Sequence, residues 1–220
     1  MMYVYFFFGL AAIYLGSVLV RKSWPIQYRL LLVLACLDFL ITLVAYLWST
    51  MLFKSNHWMA NLFGPVESAL ILYIFYKASV HRLIKRINSR LMIAIVPLLL
   101  IGYTLKPLFF ILNITVVIGC FFLILLSACC AYVDVLVDKR DFRLSRHPMF
   151  WLAGGMLLYS ISNIICFMGF EFEKKMILYS FFYYDYYAGL SVIHVGIILC
   201  FISVYLQEVR DKKAALFSNR

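Results

Sequence analysis

The chain has 220 residues, of which 65% are apolar and only 14% are charged. A soluble domain is nearer half apolar and a quarter charged, so this composition excludes an ordinary soluble protein and predicts a polytopic membrane protein. The formal net charge of +10 is explained by basic loops that set membrane topology and favour anionic lipid, and we therefore expect no nucleic-acid partner.

Long apolar segments predict an all-α fold, a single domain of seven transmembrane helices. The first segment is followed, not preceded, by Arg21 and Lys22, which is the reverse of a secretory signal peptide. We therefore expect it to remain as the first helix, with the N-terminus outside. In chain order, the predicted helices cover residues 2–20, 30–50, 62–80, 91–105, 108–133, 148–170 and 186–206.

The second and third predicted helices each contain a carboxylate. Asp38 lies near the middle of the second helix, among small and polar residues that recur at helical spacing, and such residues in membrane helices face other helices. Glu67 ends the stretch Asn61-Leu-Phe-Gly-Pro-Val-Glu67, which opens the third helix. Ionisable groups in hydrocarbon are costly and rarely without a role, so we expect the bundle to enclose both carboxylates.

The later segments carry residues that shape helices or mark the membrane interface. Pro97 and Gly102 predict a kinked or tilted fourth helix, and Pro148 suits the first turn of the sixth. The aromatic run 176–187 is typical of the membrane interface, an interpretation that we favour over a ligand lid. The basic tail, residues 207–220, is too short to fold alone.

The distribution of basic residues predicts the orientation of the chain. Sixteen of the 20 Lys and Arg residues fall in the loops and the tail on one side of the predicted bundle. Cytoplasmic loops are enriched in Lys and Arg, so this division places the N-terminus outside and the C-terminus in the cytoplasm. The four basic residues on the outer side are Lys54, Lys106, Lys174 and Lys175.

A layer of polar side chains is predicted in the outer half of the bundle. With a helical rise of about 1.5 Å per residue, four side chains on four helices lie roughly 8 to 12 Å below the outer surface. These four are Glu67, Asn113, Asn163 and His194. Asp38 lies deeper, near the middle of the bilayer, and Tyr73 and Tyr159 extend the layer inward. The seven residues are our candidates for ligand binding.

Two interpretations of this layer stay open. One Asn or His per helix often does no more than join helices through hydrogen bonds. The carboxylates differ, because an unpaired charge in hydrocarbon is expensive and no Lys or Arg lies at their predicted depth. His194 is the only deep cation in the predicted helices, so we hypothesise a Glu67–His194 pair.

Several chemistries are not supported by the sequence. The last predicted helix contains no lysine, which excludes a retinal Schiff base. The four histidines are spread over both surfaces and the interior, and the six cysteines lack metal-ligand spacing, so we expect no metal site and no disulfide framework. There is no glycine-rich phosphate loop and no Gly-x-Ser-x-Gly elbow, and we expect no cofactor.

Two stretches carry a resemblance to other membrane proteins. Asn61–Glu67 with the following Tyr73-Ile-Phe-Tyr76, and His147-Pro-Met-Phe-Trp-Leu-Ala-Gly-Gly-Met-Leu-Leu-Tyr159, resemble small seven-helix proteins of Bacteroidota that have no established function. The resemblance covers most of the chain loosely. It implies a seven-helix protein of the bacterial inner membrane and transfers no particular activity.

The function predicted first is a non-enzymatic receptor or sensory module. A small ligand is expected to enter from the outer side toward the polar layer, while the basic inner loops contact a protein partner or anionic lipid. A transport or substrate-binding membrane subunit is the second interpretation, although the apolar inner halves of the helices argue mildly against an open path. The third is an intramembrane lipid-modifying enzyme that uses Glu67 or Asp38 with His194 as acid and base.

Overall fold

The computed structural model is all-helical, as predicted, and describes residues 2–51, 57–105, 113–137, 144, 147–172 and 179–218. Within these residues lie seven helices: α1 (Met2–Leu19), α2 (Ile26–Met51), α3 (His57–Ala78), α4 (Arg82–Leu105), α5 (Ile114–Val137), α6 (Pro148–Phe172) and α7 (Tyr179–Ser218). Five of them, α2, α4, α5, α6 and α7, are long and apolar enough to cross a membrane. The chain is therefore an integral membrane protein by length and composition.

The helices pack in chain order into a closed bundle. Each helix contacts the next, and α7 returns to contact α1. The third helix also packs against α5, so α4 lies outside the groove between these two helices. The interior of the bundle is consequently surrounded by α1, α2, α3, α5, α6 and α7, and its core contains fully buried side chains such as Tyr5, Phe75 and Phe201.

Two glycines let α6 and α7 approach each other closely. A Cβ atom placed on Gly155 would lie 2.9 Å from the Cα atom of Gly196, and a Cβ atom placed on Gly196 would lie 3.0 Å from the Cα atom of Gly155. Real Cβ atoms do not approach backbone this closely, so both positions require glycine at this helix spacing. Small residues at such crossings are the usual means by which membrane helices come into backbone contact.

The observed helices extend beyond the apolar segments that hydropathy identifies. The fourth helix begins at Arg82 rather than at residue 91. Its first turns have one solvent-exposed face and one buried face, so their average hydropathy is too low to identify them as part of a membrane helix. Arg86 and Arg90 are exposed on this stretch, whereas Ile84 and Asn88 are buried. The third helix likewise begins at His57 rather than at residue 62. The predicted first-turn position of Pro148 in α6 is confirmed.

The last helix differs most from its predicted bounds. It is continuous over 40 residues, which is about 60 Å and twice the thickness of a bilayer core. It therefore includes part of the predicted interfacial stretch and most of the predicted tail. Glu208 anchors the tail portion, since its carboxylate lies 3.0 Å from both Arg21 Nη1 and Trp24 Nε1 and 2.8 Å from Lys212 Nζ.

The contacts also show which helix ends lie together. Arg21 reaches Glu208, and His81, between α3 and α4, reaches Asp134 on the last turn of α5. A cavity of about 280 Å³ at the same end is lined by residues of five helices and of the turns beside them, among them Gln27, Ser79, Asp134, His147 and Gln207. We call this the basic end, because most Lys and Arg residues lie there, and we call the opposite end the distal end.

Candidate functional site

Five polar side chains from five helices meet inside the bundle. They are Tyr5 of α1, Asp38 of α2, Glu67 of α3, Tyr159 of α6 and His194 of α7, and we call them the interior cluster. Each is at most 4% exposed. The helix ring thus encloses two carboxyl groups, one imidazole and two phenols in a place where polar groups are costly.

Asp38, His194 and Tyr5 form one half of the interior cluster. The Nε2 atom of His194 lies 3.2 Å from Asp38 Oδ2, at ion-pair distance but without hydrogen-bond alignment. The hydroxyl of Tyr5 donates to the same carboxylate oxygen over 3.3 Å and to the Asp38 carbonyl over 3.1 Å. The rings of Tyr5 and His194 meet edge to face at 5.1 Å, so each of the three groups contacts the other two.

Glu67 and Tyr159 form the other half. The hydroxyl of Tyr159 donates to Glu67 Oε1 over 2.6 Å, a length typical of a strong bond to a carboxylate. Phe121 of α5 packs edge-on against the Tyr159 ring at 5.4 Å and fixes its position. Asp38 and Glu67 lie on the neighbouring helices α2 and α3, and both carboxyl groups are buried in the bundle interior, so the two halves lie side by side.

The hypothesised Glu67–His194 pair needs correction, because the structure places His194 beside Asp38. The predicted depths were counted from helix starts that hydropathy set too late. Counted from the observed distal ends, Asp38 lies about 20 Å and His194 about 22 Å down their helices, whereas Glu67 lies only about 15 Å down. The histidine therefore comes level with the deeper carboxylate.

Asn163 lies one turn above Tyr159, toward the distal end. Its Nδ2 atom donates to the Tyr159 carbonyl over 2.8 Å, which is a contact within its own helix. Its Oδ1 atom is buried and accepts no hydrogen bond from any residue that the structure describes. Because buried acceptors in proteins are almost always paired, this oxygen is an open position for a ligand or a water molecule.

Asn113 belongs to a different site at the distal end. Its Oδ1 atom accepts from the backbone N–H of Val116 over 3.3 Å, which is the geometry of an N-cap for α5. Its Nδ2 atom donates to the Gly102 carbonyl over 2.6 Å, and its own N–H donates to Asn61 Oδ1 over 2.8 Å. Asn113 thus joins α3, α4 and α5 and is not among the residues of the interior cluster.

A proline explains the second contact of Asn61. Pro65 lies inside α3 and has no N–H, so the carbonyl of Asn61, four residues earlier, lacks its helical donor. The hydroxyl of Tyr103 on α4 donates to this carbonyl instead. We call Asn61, Gly102, Tyr103 and Asn113 the distal junction. The Asn61–Glu67 stretch therefore has two roles: Asn61 belongs to the distal junction, and Glu67 belongs to the interior cluster.

Tyr73 also lies away from the interior cluster. Its ring stacks on Tyr76 with centroids 6.3 Å apart, and Lys77 Nζ lies 5.3 Å from its centroid. The side chain is half-buried, near the basic end of α3. Of the seven candidate residues, the structure therefore brings Asp38, Glu67, Tyr159 and His194 together, places Asn163 beside them, and separates Asn113 and Tyr73.

Sequence reasoning missed two buried polar residues, Tyr5 and Asp134, that form hydrogen bonds between different parts of the chain. Tyr5 lies in an aromatic run, and only its hydroxyl distinguishes it from the neighbouring phenylalanines. Asp134 lies just beyond residue 133, where the predicted fifth helix ends, yet it is 6% exposed and accepts from the backbone N–H groups of Val80 and His81 over 2.8 and 3.2 Å. Its Oδ1 atom also lies 2.5 Å from His81 Nδ1. We call Val80, His81 and Asp134 the basic-end clamp.

The chemistry available to the interior cluster is limited by its composition. None of the described residues forms a group of three His, Cys, Asp or Glu side chains arranged to hold a metal ion. The cluster has more hydrogen-bond acceptors than donors, and His194 is its one group able to carry a positive charge. Such an arrangement is suited to binding a donor-rich or cationic group. The chain matches no protein-family model, and neither curated proteins nor solved structures include a detectably similar protein.

Proposed function

We propose that the protein is a non-enzymatic membrane receptor or sensory module in which the interior cluster binds a small ligand that enters from the distal end. One observation carries the proposal: two carboxyl groups, an imidazole and two phenols from five helices lie buried in the bundle interior, where each carboxyl group contacts a phenol and Asp38 also contacts the imidazole. Ionisable groups inside a membrane are functional more often than structural, because hydrocarbon makes them expensive to retain.

The chemistry of the cluster favours a small ligand with a positively charged, hydrogen-bond-donating group. The carboxyl groups of Asp38 and Glu67 are shared among one imidazole and two hydroxyl donors, and Asn163 adds a buried acceptor on the distal side. A primary ammonium group has three donors and one positive charge, which complements this set. We therefore assign the ligand to the class of small amines.

The seventh helix would transmit a structural change from the interior cluster to the basic end. His194 lies on it within the cluster, and Glu208, about 21 Å further along the same helix, holds the turn that contains Arg21 and Trp24. A ligand that displaces His194 from Asp38 would move a continuous helix. The basic end would then present a changed surface to a protein partner in the cytoplasm.

The proposed topology has seven spans, with the N-terminus outside and the C-terminus in the cytoplasm of a bacterial inner membrane. Five helices are long and apolar enough to span, and α1 and α3 are proposed as the other two. The apolar part of α1, Tyr3–Leu19, is shorter than the others, so the bilayer would thin locally around this helix. Grouping of the Lys and Arg residues at one end supports the orientation.

The proposal is tested by ligand-dependent stabilisation of the protein in lipid nanodiscs. A panel of small primary amines, each paired with the alcohol of the same carbon skeleton, is screened by thermal unfolding of the wild type and of Glu67→Gln. At least one amine should raise the unfolding temperature of the wild type, its alcohol should not, and Glu67→Gln should lose the shift. Equal shifts in both proteins would contradict binding at the interior cluster.

Transport is a second candidate, and one observation favours it. The cavity at the basic end includes Phe75, which lies two turns along α3 from Glu67, or about 12 Å. A path from the interior cluster to this cavity would have to pass the apolar layer that includes Phe75. Accumulation of the same amine inside proteoliposomes, abolished by Glu67→Gln, would favour transport, whereas binding without flux would favour the receptor.

A further inference from the structure

We propose that four residues on the outside of the bundle bind the phosphate of an anionic phospholipid, a function separate from the ligand at the interior cluster. The residues are Tyr73, Tyr76 and Lys77 of α3 and Lys85 of α4, which we call the lysine–tyrosine site. Lys77 Nζ lies 5.3 Å from the Tyr73 centroid and 5.7 Å from the Tyr76 centroid, and Lys85 Nζ lies 5.5 Å from the Tyr76 centroid.

Two ammonium groups therefore converge on one aromatic ring. Cation–π contacts hold each of them in place but do not neutralise either charge. Neither lysine forms an ion pair with a carboxylate among the residues that the structure describes. Two positive charges beside one ring make this part of the surface attractive to an anion, and the tyrosine hydroxyls are hydrogen-bond donors available to its oxygens.

The surroundings of the site favour a lipid over a soluble anion. On α4 the exposed residues Arg82, Arg86 and Arg90 recur every four positions and form a basic stripe at the same end. Further along the same face, Ile93 and Leu100 are 66% and 64% exposed. This face of α4, next to the one that carries Lys85, presents positive charge at the basic end and apolar surface further along the helix, which suits a phospholipid with its acyl chains beside α4.

The test compares lipid affinity in three proteins purified in mild detergent. Phosphatidylglycerol, phosphatidylcholine or inorganic phosphate is titrated while thermal unfolding is recorded for the wild type, for Lys77→Gln/Lys85→Gln, and for Lys22→Gln/Arg29→Gln. The last is a matched control, because Lys22 and Arg29 are exposed basic residues at the basic end and the net charge changes equally.

Phosphatidylglycerol should stabilise the wild type and the control variant, and the lysine-site variant should need at least roughly tenfold more of it for half the effect. Equal weakening in the control variant would overturn the site, and so would equal stabilisation by phosphatidylcholine or by inorganic phosphate. Native mass spectrometry of the wild type gives a reading that does not depend on folding of a variant. In these spectra, we expect the protein to retain phosphatidylglycerol in preference to phosphatidylcholine. Equal retention of the two lipids would contradict the proposal.

Discussion

Two polar groups buried near the ends of the bundle, Asn113 and Asp134, have different partners from the groups of the interior cluster. Asn113 and Asp134, at 1% and 6% exposure, are as well enclosed as Asp38 and Glu67, at 2% and 4%. Yet Asn113 bonds mainly to backbone groups and Asp134 to backbone groups and one neighbouring imidazole. The interior cluster instead joins side chains of different helices.

This difference separates the polar groups that are needed to complete the helix ends from the polar groups that are not. Helix ends leave backbone donors and acceptors that must be satisfied, and the distal junction and the basic-end clamp satisfy them. The middle of a membrane helix has no such need, because its backbone groups bond within the helix. The interior cluster therefore has no role in completing secondary structure, and its polar groups need another explanation.

The largest expected effect comes from disturbing the support of the interior cluster without touching its polar groups. Gly155→Ala places a methyl group 2.9 Å from the backbone of Gly196, so α6 and α7 must separate, at a cost of about 1 to 3 kcal/mol in the free energy of unfolding. The neighbouring Gly154→Ala is the matched control, since its methyl group meets Tyr132 at an ordinary 3.8 Å. Unfolding in mixed micelles measures both, and equal stabilities would contradict the close helix contact.

The second expected effect tests the basic-end clamp. Asp134→Ala removes the acceptor for the N–H groups of Val80 and His81, and unsatisfied donors should lower the free energy of unfolding by about 2 kcal/mol. Asp134→Asn retains one acceptor oxygen and should lose roughly half as much. The same micelle titration compares the two variants. A stability of Asp134→Ala equal to that of the wild type would mean that water replaces the carboxylate and that the clamp is dispensable.

A smaller effect is expected at the distal junction. Asn113→Ala removes an N-cap and the bond to Gly102, and about 1 kcal/mol of stability should be lost. Asn113→Ser restores a capping oxygen without the amide donor and should recover part of the loss. Because Asn113 is excluded from the interior cluster, amine binding should be unchanged in both variants. Loss of binding in the folded Asn113→Ser variant would place Asn113 in the ligand site after all.

The sequence predicted the helical architecture well, because long apolar runs identify the parts of helices that lie in hydrocarbon. It did not predict where helices begin, since the first turns of α4 carry arginines on one face and resemble a loop when hydropathy is averaged. The error in the starting point of α7 then carried over into the depth of His194, and the histidine was assigned to the wrong carboxylate.

The sequence also did not predict which polar residues form hydrogen bonds with each other. The depth argument placed Glu67 and Asn113 in one layer, but depth says nothing about which way a helix is rotated. Glu67 faces Tyr159 in the bundle interior, whereas Asn113 caps the helix that it precedes. Asp134 was overlooked because a carboxylate beside a basic loop is usually solvated, and only the fold shows that it accepts the N–H groups of the α3–α4 connection.

The free energy of unfolding of Glu67→Gln is the most direct test of the claim that the interior cluster is not needed for folding. Glutamine retains an oxygen that accepts from the Tyr159 hydroxyl, and it removes the ionisable group. We predict a stability within about 0.5 kcal/mol of the wild type, or above it, because glutamine keeps the size of the side chain and the bond to Tyr159 and leaves no group that could be charged in the interior. A loss of about 2 kcal/mol, equal to that expected for Asp134→Ala, would contradict the account and make the interior cluster part of the scaffold.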